Sequence, residues 1–76
     1  MKGEQYGESV YKIIEIIGTS TESWEKAAAM AVEMASKSLR DLRIAEVVEM
    51  DLQIDGGKVR AYRTKLKVSF KYEKED

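Results

Sequence analysis

The chain is 76 residues long, 43% hydrophobic and 36% charged, with a formal net charge of −1, which is the balance of one small globular domain. It contains no Cys and no His. Disulfides, thiolate nucleophiles, zinc–thiolate sites and His-based acid–base catalysis are therefore excluded, and an enzyme is not expected. No apolar run approaches the roughly 20 residues of a membrane span. The first residues lack the apolar core of a secretory signal, so a cytoplasmic location is expected. Domains this short bury only about 60% of their unfolded surface and are often reinforced by partners or metals.

Residues 1–8 are polar and glycine-containing and read as a flexible tail ahead of a single domain over residues 9–74. Val10 to Ile17 is rich in β-branched residues and predicts a first strand stopped by Gly18. Both of its faces are mostly apolar, so one helix can cover only half of it. Thr19 with Glu22 matches a capping box and Ser20 is a second candidate cap, predicting a helix from about Thr21 to Asp41. Its stripe of Trp24, Ala27, Ala28, Ala31, Ala35, Ser38 and Leu42 is built of mostly small residues that allow close approach to a sheet. Met30, Val32 and Met34 fall on flanks that a single sheet leaves wet.

Ala45 to Ile54 predicts a second strand, and Asp55-Gly56-Gly57 a hairpin loop of three residues, because an odd loop brings the two apolar faces together. The third strand, Val59 to Tyr72, places Tyr62, Thr64, Leu66, Val68, Phe70 and Tyr72 on one face. Arg63, Lys65, Lys67, Ser69 and Lys71 take the other, near Glu49 and Asp51. The order is β-α-β-β. With the third strand in the middle, every ladder is antiparallel and the crossover rule is met. The predicted fold is α+β, one helix on a three-stranded antiparallel sheet of order 1-3-2.

Charge is uneven, with eleven acids against six bases over residues 1–57 and three against seven over 58–76. The basic face of the third strand has no interleaved aromatics and faces acids, so nucleic-acid binding is not expected. Trp24 reads as packing and Gly56-Gly57 as a turn rather than a phosphate loop. Glu49 and Asp51 point to one side of their strand. They read either as cross-strand ion-pair partners of Arg63 and Lys65 or as hard oxygen ligands for a metal ion.

The runs VYKIIEIIGTS, SLRDLRIAEV, IDGGKV and TKLKVSFKYE resemble the dodecins over about Ser9 to Glu73. The resemblance implies small β-α-β-β subunits in a hollow homododecamer that binds a small ligand, in most members a flavin at subunit contacts. It also implies where such a flavin would sit. The family's Trp-Phe-Glu-Val run, whose Trp stacks on the isoalloxazine, reads Ile44-Ala45-Glu46-Val47 here. The family's ring-reading Gln aligns with Arg63, preceded by the aromatic Tyr62. With the stacking platform replaced, the resemblance implies riboflavin or FMN binding that is weakened or lost. SWEKAA, RIAEVVEMD and KVSFK are similar to a Trp-less branch that includes calcium dodecins. Glu49 and Asp51 are then the candidate ligands of Ca²⁺, or of Mg²⁺ as a structural or sequestered ion.

Overall fold

The computed structural model describes residues 9–71. The tail read over residues 1–8, and Tyr72 at the end of the third strand, lie outside them. Four elements follow in the order β1 (Tyr11–Ser20), α1 (Trp24–Ser36), β2 (Leu42–Asp55) and β3 (Lys58–Lys71). The sheet order is β1-β3-β2, and both ladders are antiparallel, as expected from the sequence.

Gly18 does not end the first strand; β1 runs on to Ser20. The glycine is needed inside the strand because the helix comes onto it there. A Cβ at Gly18 would meet the carbonyl oxygen of Ala27 at 2.2 Å and the Ala31 methyl at 2.9 Å. Ala27 is fully buried against this position. Across the ladder from Gly18 stands Thr64, and the three buried residues of β3, Thr64, Leu66 and Val68, alternate beneath the helix. Thr64 also donates its hydroxyl to the Trp24 carbonyl at 3.0 Å, which satisfies a buried polar group and fixes the first helical turn to the sheet.

Because β1 is longer than the sequence suggested, the helix starts later, and neither Thr19 nor Ser20 caps it. The Ser20 hydroxyl accepts from the amides of Glu22 and Ser23, making the turn that sends the chain back. Ser23 is the cap: its backbone is extended and its side chain accepts from Lys26 N at 3.0 Å. The helix also stops short of Asp41. Lys37 and Ser38 make three-residue-back bonds to Met34 and Ala35, tightening the last turn. Asp41, at φ +60, then reverses the chain. Leu42 consequently opens β2 instead of closing the helix stripe.

The hairpin loop has two residues, not three. Asp55 pairs with Lys58 around Gly56 and Gly57, whose φ angles of 60 and 75 suit a type I′ turn. The odd residue that the apolar faces require enters as a bulge instead. Gln53 pairs with Ala61 but Ile54 with Val59, leaving Arg60 extra on β3. A second shift, between Val47 and Glu49, leaves Val48 extra on β2, so Ala45 and Val47 join the helix-side face opposite Val68 and Leu66. Strict two-residue alternation along the second strand is therefore broken at Val48.

Much apolar surface stays bare: Ile13, Ile17, Met30, Met34, Ile44, Met50 and Ile54 are all exposed. Replacing Gly18→Ala is expected to destabilise the fold by about 2–4 kcal/mol, since rigid helix backbone must retreat. Thermal unfolding followed by circular dichroism checks this; an unchanged Tm would mean that the helix is not held against β1 at this point.

Candidate functional site

On the sheet face turned from the helix, alternate residues of β3 form a central basic row, Arg63, Lys65 and Lys67. The flanking strands supply acids. Asp51, Glu49 and Glu46 of β2 stand opposite Arg63, Lys65 and Lys67, while Glu15 of β1 stands opposite Lys67. The β2 bulge at Val48 keeps all three of its acids on this face, which simple alternation does not.

The pairs are not equally made. Arg63 forks onto Asp51, with Nε to Oδ1 at 2.8 Å and Nη2 to Oδ2 at 3.0 Å. This planar two-point geometry is specific to a guanidinium and a carboxylate. Lys65 reaches diagonally to Glu15 at 3.9 Å, a loose contact. The fork holds the Asp51 carboxyl below the usual carboxylate range and pushes Arg63 up, in each case chiefly through the side-chain hydrogen bond.

Asp51 is tied from its backbone as well. Its carbonyl accepts the Trp24 indole N–H at 3.0 Å. The Trp24 ring meets Tyr62 edge-on, with centroids 5.1 Å apart and planes at 80°. Trp24 thus joins the helix start to both strands of the hairpin, as the packing residue expected from sequence. Nothing in the sequence spacing announces the indole–carbonyl bond between residues 27 positions apart. Beside it lies an open, mostly apolar cleft of about 270 Å³ lined by Trp24, Glu25, Ala28, Val47, Met50 and Thr64.

The four flavin-site equivalents do not meet in one chain. Ile44 is exposed opposite Ser69, on the same face as Arg63 but six β3 positions away, or roughly 20 Å along the strand. Ala45 and Tyr62 lie on the helix side, opposite Val68 and Leu52. Arg63 is clamped by Asp51, which engages its Nε and Nη2 within the subunit.

Glu49 and Asp51 share a face at successive outward positions, and carboxylate oxygens are the donor type that Ca²⁺ takes. Six to eight oxygens are needed. Among the described residues no group of three or more His, Cys, Asp or Glu could hold a metal ion, and both Asp51 oxygens face Arg63. One chain thus matches Ca²⁺ in donor type but falls short in donor number. Among the described residues no helix is long and apolar enough to cross a membrane.

The dodecin family model matches residues 10–73. The calcium dodecin of Mycobacterium tuberculosis is 56% identical over 63 residues, covering 83% of this chain and 89% of that protein. Its crystal structure, described as that of a calcium-chelating antigen with a novel calcium-binding site, superposes with a TM-score of 0.77 over 90% of this chain and 97% of the other. A dodecin of Thermus thermophilus is 41% identical over 64 residues, covering 84% of this chain and 93% of its own. The Streptomyces coelicolor dodecin, 33% identical, reaches a TM-score of 0.85 over 91% of this chain and 99% of the other.

Because the fork favours the ionised Asp51, its contribution to stability is present above the unfolded carboxyl's pKa, near 4, and is lost as pH falls through the lower folded value. Replacing Asp51→Asn is expected to remove that part of the acid sensitivity, which lies below the unfolded carboxyl's pKa. Urea titrations at stepped pH check it: wild type and variant should converge at the acid end, and a constant gap would mean that the fork does not form.

Proposed function

Because the chain belongs to the dodecin family, we propose that it is a non-enzymatic, homododecameric binding protein whose small ligand is a divalent cation, Ca²⁺ before Mg²⁺. Glu49 and Asp51 are the proposed protein ligands, with the remaining oxygens coming from backbone, water or a second subunit at their contact. The observation that supports this most is the pair of outward carboxylates on β2, in a chain 56% identical to a protein named for calcium. Assembly is supported by the uncovered apolar surface on the helix flank, on β1 and on the hairpin, which a monomer would present to water. A site that lacks donors in one chain and a chain that lacks cover for its apolar faces call for the same remedy, a neighbouring copy.

Flavin binding is proposed to be weak. Ile44 offers no aromatic face for stacking, and Arg63 is held by Asp51.

Native mass spectrometry should give a particle of about twelve subunits, as proposed from the family. Millimolar Ca²⁺ should raise the melting temperature and chelation should reverse the rise, since the ion binds only the folded assembly. The double variant Glu49→Gln with Asp51→Asn should lose that response while keeping side-chain shape. A Ca²⁺ response undiminished in the double variant would move the site elsewhere. For flavin, riboflavin fluorescence should be quenched only weakly by the unaltered chain and more strongly after Ile44→Trp with Arg63→Gln. Tight quenching by the unaltered chain would identify a different stacking surface.

A further inference from the structure

The fork between Arg63 and Asp51 occupies the carboxylate that the proposed cation needs. From this geometry we infer that Arg63 is a built-in competitor: a divalent cation takes Asp51 only by displacing the Arg63 guanidinium, so cation affinity is set by the fork. The inference rests on the Glu49–Asp51 reading of the site.

Asp51 turns both oxygens onto one guanidinium, at 2.8 Å and 3.0 Å. A cation binding either oxygen while the fork stands would lie within a few ångström of a permanent positive charge, which is unfavourable even near a protein surface. Arg63 cannot yield by losing a proton, because a guanidinium stays charged at any working pH. It yields only by swinging away, and both partners are partly exposed, so the arginine has solvent to move into. The neighbouring base does not compete in this way. Lys65 stands opposite Glu49 in the ladder, yet its ammonium lies 3.9 Å from Glu15 on the other side of β3. Of the two proposed ligands, Glu49 is therefore the more available and Asp51 the one held in reserve.

The protein also contains its own reporter. Trp24 is the sole tryptophan, and its indole N–H is bonded to the Asp51 carbonyl. Opening the fork alters the residue to which the indole is tied, so Trp24 emission should follow cation uptake.

The experiment compares Ca²⁺ binding, by calorimetry and by Trp24 fluorescence, in the assembled wild type, Arg63→Gln, Lys65→Gln and the Glu49→Gln/Asp51→Asn double variant. The two single variants remove the same charge from adjacent positions of the basic row, but only the first frees Asp51. The expected result is Ca²⁺ affinity several-fold higher in Arg63→Gln than in both wild type and Lys65→Gln, with emission of the ion-free Arg63→Gln already shifted towards the Ca²⁺-loaded value. Equal gains in the two single variants would overturn the competition, since general charge would then account for them. Unchanged or weaker binding in Arg63→Gln would overturn it as well. The double variant reads the site alone. If it still binds like wild type, the Glu49–Asp51 reading fails and the competition with it. Should no protein in the set bind Ca²⁺, Arg63→Gln included, both fail together.

Discussion

A helix of 13 residues lies on a strand of 14, and the two differ in length by more than twofold, at about 20 Å against about 46 Å. The helix is anchored at one place by Gly18, which accepts the Ala27 backbone where no other side chain fits, and by Thr64, which holds the Trp24 carbonyl. Among the described residues, burial is complete only near that anchor, at Ala27, Thr64, Leu66 and Val68. Beyond it the hairpin projects uncovered, and the molecule is 53 Å long but only 19 and 17 Å across. Its radius of gyration of 15.5 Å exceeds the roughly 11 Å of a compact domain this size. The bare Ile13, Met34 and Ile54 follow directly from this mismatch.

Element order, strand order and the facing of Glu49 and Asp51 towards Lys65 and Arg63 were legible because alternation along the third strand is nearly unbroken and the crossover rule leaves one topology. The boundaries were not. Gly18 carries the same letter whether it stops a strand or admits a helix, and only the distance to Ala27 tells the two apart. Serines at positions 20 and 23 offer identical capping chemistry, so the choice fell to where β1 ended. The parity argument for the hairpin found the right facing of Asp51 and Arg63 but the wrong loop, since a bulge at Arg60 supplies the odd residue as well as a longer loop would. Bulges have no strong letter code. The same blindness hid the change of face at Val48, and with it the way Glu46 joins Glu49 and Asp51 on one side. Of the candidate site, the common face of Glu49 and Asp51 was readable; the indole bond to Asp51 was not, because it depends on where the helix starts.

Asp51 gathers the consequences of both points. Its carbonyl is reached by Trp24 because Ser23 caps the helix and Trp24 is its first residue. Its carboxylate meets Arg63 because the Arg60 bulge restores the register. A glutamate would place its carboxylate one methylene further out, and a lysine at position 63 would supply a point charge in place of a fork. Short acid and planar base together neutralise this end of the sheet face without a partner chain. The Glu49 end is left differently, with its opposing lysine drawn to Glu15. One sheet face thus carries a satisfied carboxylate and a less satisfied one two residues apart, next to apolar edges that favour a second copy. Subunit contact and cation binding would then act on the same strand. In the proposed assembly further oxygens would come towards Glu49, whereas Asp51 would join only where the incoming charge outweighs the arginine already there. Selectivity for a dication over a monovalent ion would follow from that proposed contest, because a single positive charge gains little by replacing another that is better hydrogen-bonded.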